Sequence, residues 1–288
     1  MIPATFDYQA PATIDEALSL LAANPDEAKI LAGGHSLIPA MKLRLAQPSL
    51  LVDIGRIKDL AYIREEGDQI AIGAMTTHYR IESSALLQKI CPLLPDCASH
   101  IGDVQVRNKG TIGGSVAHSD PAGDWPAAMI ALNAQMVAVG ANGERTINAD
   151  DFFVDLLTTA LTPGEILREI RVPKPSGRFV HSYQKVRHPA SGFAVVGIAV
   201  AIRLAADGSC ETAGVGVTGV ASKAYRAAAV EAALKGQPLN DQTIAQAAAH
   251  ATDGVDANSD LYASEDYRRH LAQVFTKRAI RQAGISIK

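Results

Sequence analysis

Two glycine pairs, each followed by a serine and each readable as a phosphate-cradling turn, constrain this chain more than any other feature. The first is Ala32-Gly33-Gly34-His35-Ser36, which follows Lys29-Ile30-Leu31. The second is Thr111-Ile112-Gly113-Gly114-Ser115, and Gly33 and Gly113 stand 80 positions apart. A strand that runs into glycines and then into a helix makes a phosphate cradle. Glycine lets the backbone approach a ligand closely and take positive φ. Free N–H groups and the helix dipole, about half a positive charge, favour an anion there. One such pair alone is equally a tight turn that needs glycine only for its geometry. Two of them imply a ligand clamped between two subdomains, and a dinucleotide diphosphate suits that arrangement. Neither turn is G-x-G-x-x-G, so that dinucleotide fingerprint is taken as absent, as is the G-x-x-x-x-G-K-[ST] loop.

The rest of the chain narrows the class. At 288 residues it is long enough for two domains and for a core that needs no staples. A net charge of −3 and a pI of about 6.2 speak against a nucleic-acid surface. No run of 18 uncharged apolar residues suggests a membrane span. The start, Met1-Ile2-Pro3-Ala4-Thr5-Phe6-Asp7, lacks the basic and apolar regions of a secretory signal, so the cytoplasm is expected. The three cysteines, Cys91, Cys97 and Cys210, are too few for an all-cysteine iron–sulfur site, which takes four thiolates. No metal-ligand spacing is seen, so no metal site is expected. Any redox cofactor held by this chain must then be organic.

Thr13-Ile14-Asp15-Glu16 reads as a capping box that opens a helix ended by Asn24-Pro25. A helix is expected after Ser36 through Leu37, Met41, Leu43 and Leu45, then a buried strand at Leu50–Ile54 and another at Gln69–Ala74. Thr76 or Thr77 caps a short helix, and Ser84–Ile101 reads as mostly helical, broken near Pro92 and Pro95. Gly102–Gly110 reads as a loop, and Thr111–Trp125 as a long polar loop containing His118, Ser119, Asp120 and Asp124. Such a loop beside a glycine turn often carries function, or is simply a solvated connector. Trp125-Pro126 opens a helix, with Pro suited to its first turn. Gln135–Val139 is a strand followed by the turn Asn142-Gly143. The composition changes at Val172-Pro173-Lys174-Pro175-Ser176-Gly177, a plausible linker. Beyond it, Phe179–Val186, Phe193–Leu204 and Glu211–Val220 read as successive strands, and helices are expected at Lys223–Lys235, Asp241–Ala251 and Glu265–Ala283. That pattern is α+β.

The two glycine turns, extended as Ala32–Pro39 and Gln105–Gly114, resemble the FAD-binding medium subunit of molybdenum hydroxylases, most of all those of the carbon monoxide dehydrogenase type. The resemblance runs over essentially the whole chain. It implies an α+β fold: a PCMH-type FAD-binding domain of two α/β subdomains over residues 1–175, then a C-terminal α+β domain over 176–288 built on a three-stranded antiparallel sheet with helices. It also implies the ligand contacts. Lys29, Ala32, Gly33, Gly34, His35, Ser36 and Leu37 would wrap the diphosphate and ribityl chain. Thr111, Gly113, Gly114 and Ser115 would hold its other side. Ile101, Ala117, Asp124, Leu161, Lys185 and Phe193 fall at further FAD-contacting positions. FAD is expected to be non-covalent, although some more distant relatives attach flavin to a histidine in a comparable turn, which draws attention to His35.

One departure stands out. The strand after Lys185 would carry an aspartate followed by an aromatic or small residue, but the sequence there is Arg187-His188-Pro189-Ala190-Ser191-Gly192-Phe193. Phe193 can cover a flavin face but has no phenol hydroxyl to hydrogen-bond. That leaves room for an aldehyde- or N-heteroaromatic-oxidising relative. The resemblance further implies a dimer of heterotrimers: a molybdenum–pterin large subunit that oxidises the substrate, a small subunit with two-iron clusters, and this chain as an electron relay. The acceptor would be a quinone, NAD or oxygen, and with a quinone any membrane contact would be peripheral. No residue reads as an acid–base catalyst, though Lys185 is expected to favour anionic reduced flavin. Two other readings remain: a stand-alone PCMH-type flavin oxidoreductase, for which no proton donor stands out, and an interaction subunit that has lost FAD, against which both intact turns speak.

Overall fold

The computed structural model describes residues 1–285. Its first layer is a small parallel sheet of Asp7–Gln9 (β1), Ala28–Leu31 (β2) and Leu50–Asp53 (β3), in the order β1–β3–β2. Helix α1, Ile14–Ala23, packs Ala17 and Leu21 on it, in a small core with Val52, Ile54 and Leu60. Its cap is a shifted box: Thr13 accepts from the Glu16 N–H at 3.2 Å, while Glu16 reaches back to Ala12 at 2.8 Å. Helix α2, Leu37–Lys42, is shorter than expected. The chain turns at Arg44, whose φ is 60°, and Leu43 and Leu45 are left exposed outside the helix.

The second layer is an antiparallel sheet. It contains Ile63–Glu66 (β4), Gln69–Gly73 (β5), Gln135–Gly140 (β6) and Gly143–Asn148 (β7). After the hairpin of Phe153–Asp155 (β8) and Thr158–Thr159 (β9) comes its central strand Ile166–Pro173 (β10), giving the order β4–β5–β10–β6–β7. Beside it follow α3 (His78–Glu82, capped by Thr77), α4 (Ala85–Ile90), α5 (Leu93–Ser99), α6 (Val104–Lys109), α7 (Ile112–His118), α8 (Asp124–Ala131) and α9 (Ala149–Phe152), of which α7 and α9 touch its strands. The structure corrects two loop expectations here. Gly102–Gly110 contains helix α6, capped by Asp103, which accepts from Val106 N–H at 2.8 Å. Thr111–Trp125 contains helix α7 over Ile112–His118, and the second glycine pair lies in its first turn rather than in a loop.

The third layer is an antiparallel sheet of Arg178–Arg187 (β11), Ala194–Leu204 (β12), Cys210–Thr218 (β13) and Tyr225–Arg226 (β14), in that order. The fourth strand, only two residues long, occupies the start of the stretch expected to be helix from Lys223. The helix itself, α10, begins at Ala228 and ends at Leu234. Helices α11 (Asp241–Ala248) and α12 (Glu265–Ile285) complete this layer. Both faces of β12 are buried. Val196, Ile198, Val200 and Ile202 join the core under α12, while Ala199 and Ala201 join the main core of the preceding layer. That period of two is what a strand between two packed layers requires.

Helix α8 is the piece between the layers, and every residue from Asp124 to Ala131 is buried. A Cβ on Gly214 or Gly216 would meet the carbonyl oxygen of Ala131 or Ala127 at 2.0 Å. These glycines belong to Gly214-Val215-Gly216-Val217-Thr218-Gly219, so a G-x-G-x-x-G spacing is present in the chain after all. It lies mainly in an antiparallel strand and is not followed by a helix, so it lacks the strand–turn–helix setting of a dinucleotide cradle. Two of its glycines serve helix-to-sheet contact instead.

Candidate functional site

The first glycine turn links β2 to α2 and rests directly on the second glycine segment. A Cβ at Gly33 would sit 2.5 Å from the Lys109 carbonyl oxygen and 2.7 Å from Gly110 Cα. Gly34 has a φ of 75°. Among the described residues, the backbone N–H groups of Gly33, Gly34, His35 and Ser36 have no hydrogen-bond partner. Four unspent donors around a left-handed glycine form an anion-binding concavity. His35 is exposed, Lys29 is exposed on β2, and Leu37 is the first residue of α2.

The second segment works differently. Thr111 caps α7 and accepts from Gly114 N–H at 3.1 Å. Ile112 N–H donates to Thr76, Gly113 N–H to Ala74 and Ser115 N–H to Thr111. Its amides are therefore spent within the protein. Its glycines permit contact: a Cβ at Gly113 would lie 2.4 Å from Ala74 Cβ, and one at Gly114 would lie 3.4 Å from Ala32 Cβ. The expectation of two equivalent N–H cradles is corrected to one donor loop and one close-packed wall. Ser115 and Ala117 follow on α7. Ala117 and Leu161 are both half-buried on the rim of the main core. Ser119 ends α7 in the left-handed region and donates to the Thr158 carbonyl, beside the segment that carries Leu161.

The remaining expected contacts gather around the turn His100–Gly102. Lys185 Nζ donates to the His100 carbonyl at 3.1 Å and to Asp124 at 2.8 Å. The Tyr183 hydroxyl donates to the other Asp124 oxygen. The Lys185 side chain is 1% exposed and that of Asp124 is 6% exposed. Burial pushes the Asp124 carboxyl up, against the pull of Lys185 and Tyr183. Lys185, expected to favour anionic reduced flavin, is thus paired with a buried carboxylate. Ile101 is half-buried, and its carbonyl accepts from Arg107, whose guanidinium also pairs with Glu82 at 2.7 Å. Gly192, just before Phe193, approaches Gly102, and the Phe193 ring is 44% exposed. Helix α6 connects this cluster to the glycine turns, because Arg107 grips Ile101 at one end and Lys109 meets Gly33 at the other.

Sequence reasoning missed the residues that seat the turns: Lys109 and Gly110 as wall, and His78 and Trp125 behind them. Trp125 Nε1 donates to His78 Nδ1 at 3.0 Å, and His78 N–H donates to the Gly110 carbonyl at 3.0 Å. The only usable signal was the sequence Thr76-Thr77-His78 before a short helix. Two open hollows elsewhere, one beside Tyr62 and Arg168 and one beside Pro11 and Leu20, contain none of these residues. The glycine segments instead meet by direct contact, Gly33 against Lys109 and Gly110, with the unspent donors of residues 33–36 alongside. Among the described residues no cluster of His, Cys, Asp or Glu could hold a metal ion. That contact offers neutral donors and a left-handed glycine, which fit the diphosphate of a dinucleotide.

Residues 4–175 match the model of the FAD-binding domain in molybdopterin dehydrogenase, and residues 181–283 that of the CO dehydrogenase flavoprotein C-terminal domain. The fold and these matches thus define an FAD-binding oxidoreductase component. The carbon monoxide dehydrogenase medium chain of Hydrogenophaga pseudoflava is 41% identical over 98% of both chains. A solved structure of carbon monoxide dehydrogenase from that organism, one that lacks the Mo-pyranopterin moiety of the molybdenum cofactor, superposes with a TM-score of 0.96, at 43% identity and 99% coverage of both chains. Quinoline 2-oxidoreductase from Pseudomonas putida 86 gives a TM-score of 0.93 at 33% identity, again over 99% of both. The chain belongs to the FAD-binding medium-subunit family of carbon monoxide dehydrogenase-like molybdenum hydroxylases.

Proposed function

We propose that this chain is the electron-relay subunit of a cytoplasmic molybdenum hydroxylase. It would hold FAD non-covalently, accept electrons from iron–sulfur clusters of a small subunit and deliver them to an external acceptor. A large subunit with molybdenum–pterin would oxidise the substrate, in a dimer of heterotrimers. When bound, the flavin supplies the ability to exchange electrons one or two at a time; the protein supplies binding, orientation and electrostatics. One observation carries this reading: Gly33 lies against Lys109 and Gly110, with the N–H groups of residues 33–36 unspent beside them.

In this reading the segment from Lys29 to Leu37 holds the diphosphate and ribityl chain. Thr111, Gly113, Gly114 and Ser115 wall its other side. Ile101 and Phe193 flank the ring system, with Ala117 and Leu161 at the far rim. Lys185 and Asp124 act as a neutral, buried pair that fixes the His100–Gly102 turn. The chain is divided at about residue 175 into an FAD-binding domain and a C-terminal domain. Phe193 favours a second reading in which the substrate is an aldehyde or N-heteroaromatic compound, because the loop before it lacks the expected aspartate.

Purification from the native source with a visible spectrum tests the proposal. The expected result is a flavin and iron–sulfur spectrum with two co-purifying subunits in equal amounts. Acid precipitation should release all FAD into the supernatant; flavin that stays with the protein would place it on His35. An active, lone polypeptide would overturn the relay reading.

A further inference from the structure

His78 is 3% exposed, yet half of its hydrogen-bonding capacity is unused. The Trp125 indole N–H can only donate. Nδ1 of His78, which receives it at 3.0 Å, must therefore be the unprotonated ring nitrogen. In the neutral ring the proton then sits on Nε2, and burial lowers the imidazole to about 3, which keeps the ring neutral. Nε2 has no protein partner among the described residues, and it is not sealed off with the fully buried, unpaired polar atoms. Its position is fixed by Gly110: a Cβ there would lie 2.7 Å from Nε2. Gly110 in turn abuts Gly33, and the His35 ring is near enough to act on His78 electrostatically. A donor that no protein group satisfies, and that is not sealed from solvent, thus stands beside Gly110, where the two glycine segments meet.

We propose that the His78 Nε2–H is a further cofactor-binding donor, directed to a diphosphate oxygen of the FAD and held in its donating tautomer by Trp125. The proposal rests on the FAD reading of the glycine segments. A neutral donor suits this position because it needs no proton from solvent and adds no charge beside His35 and Lys109. Gly110 completes the design, since any side chain there would fill the space between the imidazole and Gly33.

The test separates the two ring nitrogens. Asparagine places an acceptor near Nδ1 but nothing at Nε2; glutamine places an amide N–H near Nε2 but loses the acceptor for Trp125. The assembled enzyme would be stripped of FAD and titrated with FAD by flavin fluorescence, alongside the melting temperature of the FAD-free form. A hydrogen bond to a charged acceptor is worth roughly tenfold or more in affinity. His78→Gln should therefore bind FAD within a few fold of the parent, whereas His78→Asn and His78→Phe should bind about tenfold more weakly. If His78 served only to pack against Trp125, the order would reverse, with His78→Asn like the parent and His78→Gln weakened. That reversal, or equal affinity in all variants, overturns the inference. Failure of the unsubstituted protein to bind FAD would instead overturn the cofactor reading itself.

Discussion

Gly33 leaves no space for a side chain, and the reason is proximity rather than backbone angle. The atoms a Cβ would meet, the Lys109 carbonyl and Gly110 Cα, are backbone and cannot swing away. Gly33→Ala should therefore push the two segments apart, with a cost of about 1–3 kcal/mol from overpacking and a fall in FAD affinity of roughly tenfold or more. Equal FAD retention and an equal urea midpoint in the variant would show that the contact is dispensable. His78 adds a pH dependence. Its folded value of about 3 lies below the ordinary imidazole value of 6.5. Between those values the unfolded chain binds a proton that the folded chain does not, so this contribution to stability is complete above pH 6.5 and is lost as pH falls. His78→Asn should lose less stability than the parent between pH 7 and pH 5 in urea titrations; identical slopes would refute this.

At the scale of elements, Lys185 on β11 and Asp124 at the start of α8 form a pair that should be judged by its removal. Lys185→Met leaves a buried carboxylate without its cation, which costs about 3–5 kcal/mol in comparable cases. Replacing both together, Lys185→Met with Asp124→Leu, should recover much of that in urea unfolding, since the desolvation penalty goes with the charges. A cost below about 1 kcal/mol for the single change would mean that solvent reaches the pair. The same elements show what was legible in the sequence. The strands β2, β3, β5, β6 and β11–β13 announce themselves by apolar runs, and α1 by Thr13 and Glu16. Helix α6 was hidden because it buries no residue and so has no apolar period. Helix α7 was hidden because two glycines, poor helix formers, stand in its first turn. The Gly33–Gly110 contact and the His78–Trp125 bond join residues far apart in sequence, and no local pattern encodes such partners.

At the scale of the whole molecule, the proposed division near residue 175 separates segments of sequence that nevertheless share a core. Tyr183, Ala199, Ala201 and Ala224 pack into the same cluster as Trp125, Ile70 and Phe152. Pro121 and Gly123 accept from the Thr218 hydroxyl, and Arg226 bonds Ile130 and Asn133. Calorimetry of the full chain should show one cooperative transition, and residues 1–175 alone should melt well below it. Two separate transitions would show that the layers are independent.

Helix α8, walled on both sides, also sets an order of events during synthesis. Its outer surface stays bare until Gly214 and Gly216 of β13 have emerged from the ribosome. At about 5–20 residues per second that wait lasts on the order of ten seconds. For that interval one apolar face of the helix waits for its cover, so the helix reaches its final surroundings only once the C-terminal sheet has been made.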